Sequence, residues 1–125
     1  MSTLKYTRDH EWLRPEADGS VSLGITQYAQ EQLGDIVYVE LPETGSRIDP
    51  ARNVVVIESV KAVGEVKLPV GGTVLATNAA LAERPELVNS APEGEGWLLR
   101  VRLDDAAALD GLLDAEAYAA YVATL

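Results

Sequence analysis

At 125 residues the chain can bury one ordinary core and is too short for two, so a single domain spanning 1–125 is expected. Its formal charge of -10, from 20 acidic against 10 basic residues, would repel a phosphate backbone and argues against nucleic-acid binding. With no cysteine, the chain has no disulfides, thiolate nucleophiles, Cys-type zinc sites or iron–sulfur ligands of its own.

The N-terminal run Met1-Ser2-Thr3-Leu4-Lys5-Tyr6 lacks the apolar stretch of a signal peptide, and no apolar run approaches a membrane span. A cytoplasmic protein with no membrane association is expected. Short β-type runs separated by Gly, Pro, Asn and Asp then extend over a β body of about 4–103. Val21, Leu23 and Ile25 alternate with Ser22 and Gly24, which predicts a strand with one apolar face. Thr26 is placed to cap a two-turn helix carrying Tyr28, Ala29 and Leu33 inward, with Gly34 suited to its end. The next strand is predicted to turn Val37, Val39 and Leu41 to one face and Ile36, Tyr38 and Glu40 to the other.

Turn signals at Pro42-Glu43-Thr44-Gly45 and Asp49-Pro50 bracket a short segment around Ile48. Val54-Val55-Val56-Ile57 is β-branched throughout and suits a strand covered on both faces. After a break at Ser59-Val60-Lys61, a second strand places Ala62, Gly64, Val66 and Leu68 on one face, so the pair reads as a hairpin with Lys61 at its tip. Gly71-Gly72 opens a turn into a strand from Thr73 to Thr77, followed by an irregular stretch from Asn78 to Gly96 with helical pieces at Ala79–Leu81 and Pro85–Val88. Trp97, Leu99, Val101 and Leu103 alternate with Leu98, Arg100 and Arg102 in a last strand whose outer face is largely basic. From about 104 to 125, helical spacings of Leu109, Leu112 and Leu113, then of Tyr118, Tyr121, Val122 and Leu125, predict a helical pair, with Asp114 capping the second member.

No catalytic constellation is visible. His10 is the only histidine, and no serine stands in a nucleophile-elbow or Ser-x-x-Lys context. His10 with Asp9 and Glu11 offers one imidazole among carboxylates, a pattern that reads as a solvated strand edge rather than a metal site. Lysines at hairpin tips are commonly solubility and edge-protection devices, and position alone makes Lys61 one of these. Two details separate it. The other lysines are only Lys5 and Lys67, and the tip is flanked by Val60, Ala62 and Val63 in place of polar turn formers. A lysine held out on a rigid hairpin can enter another enzyme's active site and be acylated while the β body stays folded. Its amine must first lose a proton to attack, so the modifying enzyme would have to supply the base.

Tyr6-Thr7-Arg8-Asp9-His10-Glu11-Trp12, Gly24-Ile25-Thr26, Leu33-Gly34-Asp35-Ile36-Val37-Tyr38-Val39-Glu40-Leu41-Pro42, Glu58-Ser59-Val60-Lys61-Ala62, Pro85-Glu86-Leu87-Val88-Asn89 and Gly94-Glu95-Gly96-Trp97-Leu98 together resemble the glycine cleavage H-protein family over nearly the whole chain. Other lipoyl domains typically carry Asp-Lys-Ala at the lysine and biotinyl domains Met-Lys-Met. The resemblance implies a mostly β, flattened barrel of the barrel-sandwich hybrid type. It implies a non-catalytic carrier with lipoate in amide linkage to Lys61, which shuttles an aminomethyl group from glycine decarboxylase to aminomethyltransferase. Dihydrolipoyl dehydrogenase would reoxidise the arm, and a lipoate ligase or lipoyltransferase would attach it. A monomer is expected, since one arm must reach several active sites. By the same resemblance Glu58 helps the attaching enzyme recognise the site, and Glu11 helps line a cleft for the loaded arm, with Glu65 and Asp9 as looser candidates. The chain departs from the common pattern at Gly64 and at Gly71-Gly72, where serine and Ser-Gly are frequent. Two competing readings are a lipoate relay to other enzyme complexes and a domain that keeps the fold but has lost the modification.

Overall fold

The computed structural model describes residues 4–49, 53–68 and 70–125. The predicted turn at Asp49-Pro50 falls partly outside them, as do the first three residues and Pro69. In chain order the elements are β1 (Lys5–Tyr6), β2 (Glu11–Pro15), β3 (Val21–Ile25), α1 (Gln27–Leu33), β4 (Ile36–Glu40), β5 (Arg47–Ile48), β6 (Asn53–Ser59), β7 (Val63–Lys67), β8 (Gly72–Thr77), α2 (Ala80–Glu83), α3 (Leu87–Ser90), β9 (Leu99–Leu103), a 3₁₀ segment (Ala106–Gly111) and α4 (Ala115–Val122). The fold is mostly β with short helices. The C-terminal pair is present, although its first member is 3₁₀ and its second a true α-helix capped by Asp114, whose Oδ1 accepts from the Ala117 N–H at 2.7 Å.

The strands form a six-stranded sheet in the order β1-β2-β3-β9-β8-β5 and a three-stranded sheet in the order β4-β6-β7. The strand pairs are antiparallel. The flattened barrel is open: the two sheets face each other without a shared ladder among the described residues. Between them lies one apolar cluster that joins Leu13, Leu23, Ile25, Leu99 and Val101 of the large sheet to Ile36, Val39, Val55, Ile57 and Val66 of the small one. Each such side chain contributes about 1.5–3 kcal/mol by leaving water. A second cluster of Tyr6, Trp12 and Tyr118 seats α4 against β1 and β2. Trp12 requires glycine at position 24, because a Cβ there would stand 2.8 Å from its indole ring.

Three facings differ from expectation. In β4, Ile36 pairs with Ser59 and Tyr38 with Glu58, so Val37 is an extra residue with no partner of its own. This bulge turns Ile36 and Val39 inward, and it leaves Val37 and Tyr38 side by side in solvent, 53% and 51% exposed. In β6 Val55 and Ile57 are buried, while Val54 and Val56 are half-buried, Val54 packing against the margin of the core, so the run is not covered equally on both faces. Leu98 is fully buried and Trp97 half-buried, since the alternating strand begins only at Leu99.

Candidate functional site

The β6–β7 hairpin presents Lys61 at its tip. Ser59 builds the turn: its backbone N–H donates to the Ala62 carbonyl at 2.8 Å, and its Oγ accepts from the N–H groups of Lys61 and Ala62 at 3.3 and 3.0 Å. This local bonding replaces the ladder where the β-branched run breaks. Lys61 is exposed, and its ammonium forms no ion pair among the described residues. Val60 and Val63 beside it are 69% and 62% exposed. Glu58 is also exposed, in a cross-strand row with Tyr38 and Val63.

The tip is braced by the connection between α1 and β4. The Val60 N–H donates to the Asp35 carbonyl at 3.0 Å, and the Lys61 stem passes over Gly34 so closely that a Cβ there would lie 3.2 Å from Lys61 Cε. Thr26 and Gly34 close α1 as expected. Thr26 Oγ1 accepts from the Ala29 N–H at 3.2 Å, and the Gly34 N–H donates to the Gln30 carbonyl at 2.9 Å. The buried residue of α1 is Gln30, with Tyr28, Ala29 and Leu33 half-buried. Asn89, quoted above only within the resemblance, has a structural role that local patterning did not reveal. Its Oδ1 accepts from the Ile36 N–H at 2.8 Å, and its Nδ2 donates to Gln30 Oε1 and to the Gly34 carbonyl at 2.8 and 2.9 Å. The available signal was an amide side chain in a long irregular loop, which needs polar anchors.

Gly34 has φ 83° and ψ -156°, a region that residues with a Cβ scarcely enter. Gly34→Ala is therefore expected to destabilise the fold by about 2 kcal/mol and to move the Lys61 ε-methylene resonances. Urea unfolding and NMR check the two effects; a variant with parental stability and spectrum would contradict the bracing.

Asp9, Glu11 and Glu65 converge on one cleft of about 190 Å³ between the Asp9–Glu11 segment, α1 and β7, with Leu33, Ile57 and Val66 among its apolar lining. The same three carboxylates, with Val63 and Lys67, border an adjoining and more polar recess of about 490 Å³. Glu11 is only 2% exposed, contrary to the expected solvated edge. It opens β2 after a tight turn, and its Oε2 accepts from the Lys67 backbone N–H at 2.8 Å while its Oε1 accepts from Thr7 Oγ1 at 3.3 Å. Burial pushes its carboxyl up to about 7, and nearby Asp9 adds to the rise against the lowering effect of these hydrogen bonds. Asp9 and Glu65 are exposed at the rim. A methyl group at Gly64 would crowd Leu33, approaching its Cδ2 to 3.1 Å, so the departure at this position gives Leu33 its seat.

His10 is no solvated edge either. It lies in the turn before β2 with φ 68°, its ring packed among Tyr28, Tyr118 and Tyr121. Burial lowers its pKa against the opposing influence of Asp9. Among the described residues no group of three His, Cys, Asp or Glu side chains is placed to hold a metal ion.

Lys61 and the cleft adjoin through consecutive residues: Leu33 lines the cleft and Gly34 underlies the lysine stem. An exposed amine on a braced hairpin, beside a cleft that is apolar within and acidic at its mouth, defines a carrier rather than an enzyme. The family model for the glycine cleavage H-protein matches residues 4–125. The chain is 53% identical over 120 residues to the glycine cleavage system H protein of Halorhodospira halophila, covering 96% of this chain and 92% of that one. It is 50% identical over 117 residues to the H protein of Pseudoalteromonas atlantica, covering 94% and 91%. The crystal structure of a glycine cleavage system H protein from Mycobacterium marinum superposes with a TM-score of 0.85 at 36% identity, covering 96% of each chain. The chain belongs to the glycine cleavage H-protein family, whose members are non-catalytic lipoate carriers in glycine cleavage.

Proposed function

We propose that Lys61 is the lipoate attachment site and that the chain serves glycine decarboxylase, aminomethyltransferase and dihydrolipoyl dehydrogenase in turn. The observation that carries this reading is the exposed Lys61 amine on a tip that Ser59 and Asp35 hold rigid, within Glu58-Ser59-Val60-Lys61-Ala62. Bound lipoate supplies the disulfide–dithiol chemistry that accepts an aminomethyl group, yields it to the transferase and is reoxidised by the dehydrogenase.

The residues present fit such a group. Its aliphatic chain matches Leu33, Ile57 and Val66, and the ammonium of an aminomethylated arm matches Glu11 with Asp9 and Glu65 at the mouth. Among the described side chains, Glu11 holds the carboxylate farthest from water, so pairing there shelters a cation prone to hydrolysis. Glu58 stands in the row beside the tip, where a lipoate ligase or lipoyltransferase must grip to bring the lysine amine itself into its active site. The proposed setting is the cytoplasm. Among the described residues no helix is long and apolar enough to cross a membrane.

The test is the intact mass of protein from its native host, with peptide mapping around Lys61. A lipoyl increment on Lys61 is expected. An unmodified Lys61, in cells that lipoylate other proteins, would leave the domain as a carrier fold without its cargo.

A further inference from the structure

Two of the cleft's walls come from different parts of the fold. One is the turn and strand start that carry Asp9, His10 and Glu11; the other is α1, which contributes Ala29 and Leu33. The direct backbone bond between their bases is the Thr26 N–H to the His10 carbonyl, at 3.1 Å. Above it sits a hydroxyl from the far end of the sequence. Tyr118 Oη of α4 lies 2.8 Å from His10 Nδ1 and 2.7 Å from Thr26 Oγ1, and the tyrosine is buried. We infer that Tyr118 is a positioning residue for the cleft, its hydroxyl fastening the acidic wall at His10 to the helical wall at Thr26.

Proton counting supports one arrangement. Thr26 Oγ1 already accepts from the Ala29 N–H, so its own hydrogen is free to donate to Tyr118 Oη. The single phenolic hydrogen then goes to His10 Nδ1, and the imidazole keeps its proton on Nε2. This assignment follows from the hydrogen-bond network. The turn needs such a fastening, because His10 has φ 68°, a left-handed conformation that a residue with a Cβ adopts at some cost. The tyrosine ring is separately accounted for: it stacks on Tyr6 with centroids 4.6 Å apart, which is ordinary packing for α4. Ring and hydroxyl therefore have separable roles.

Tyr118→Phe separates them, since it keeps the stack and removes the bridge. In unlipoylated protein, amide hydrogen exchange at Thr26 is expected to accelerate about fivefold, the factor one ordinary hydrogen bond provides. Amides within β3 and β9 are expected to keep parental rates, and Tyr121→Phe, which removes a hydroxyl from the same helix, to behave as the parent. The Glu11 carboxyl midpoint, followed by NMR, is expected to fall from about 7 as water enters the cleft. Asp9, Glu65 and His10 face the same cleft, Lys67 faces the adjoining recess, and all four remain in both proteins. Unchanged exchange at Thr26, equal acceleration throughout the sheet, or an equal effect from Tyr121→Phe would each overturn the inference. The inference adds to the carrier reading, and the two fail separately. If an aminomethylated arm on the parent decays as fast as free aminomethyl-dihydrolipoamide, the sheltering role of the cleft is lost while the bridge still stands on its exchange signature.

Discussion

Lys61→Arg is expected to fold as the parent does and to take up no lipoyl group at all. The side chain is exposed and makes no ion pair among the described residues, and the turn beneath it is built by Ser59 and the backbone. Replacement by another long cation should therefore change stability by no more than about 0.5 kcal/mol. The chemistry is less forgiving. Amide formation needs a neutral amine with a lone pair, and a guanidinium with a pKa above about 12 stays charged and has no such lone pair to offer. Urea midpoints of the two proteins should coincide, whereas the intact mass of the variant should lack the increment entirely. Loss of folding would contradict a solvated tip. An increment persisting on Lys5 or Lys67 would show that the attaching enzyme reads something other than this hairpin's tip.

Features that local pattern governs were legible in the sequence. The strand from Val21 to Ile25, the helix between Thr26 and Gly34 and the Asp114 cap all follow from neighbours one to four residues apart. Lys61 was visible for the same reason, as the break in a β-branched run. Features that depend on the facing strand were not. The bulge at Val37 arises from pairing with β6, and it reverses the face that alternation alone assigns to that residue. Opening of the barrel into two sheets likewise depends on which edges meet, which no single strand encodes.

The cleft illustrates the same limit at the site. Asp9 and Glu11 are far from Glu65 in sequence, and they converge because the start of β2 docks against β7, where the Lys67 N–H reaches Glu11. From composition these carboxylates looked like a wet edge; only the family resemblance pointed to a cleft. Asn89 and Tyr118 were harder still, since each joins segments distant in sequence through hydrogen bonds.

Glu11→Gln is expected to stabilise the protein at pH 8 and to weaken it as a carrier. The native carboxyl titrates at about 7 because burial disfavours its charge, whereas in the unfolded chain it titrates near the ordinary value of about 4.3. Between these values the folded state holds a proton that the unfolded state has released. Stability therefore falls as pH rises through that window and levels off above 7. The full separation corresponds to about 3.5 kcal/mol. Some of this is forfeited in the variant, because an amide nitrogen replaces the oxygen that accepts from Thr7 Oγ1. A gain of about 2 kcal/mol at pH 8, turning into a loss of about 1.5 kcal/mol near pH 4, is the expected result of urea unfolding across pH. An unchanged pH slope would place the titrating group elsewhere. A neutral amide cannot pair with an ammonium, so the aminomethylated arm on the variant should decay about tenfold faster or more, read as formaldehyde released. A carboxylate that costs stability while the cleft lacks a cation, and regains it when one arrives, acts as a binding group rather than a part of the scaffold.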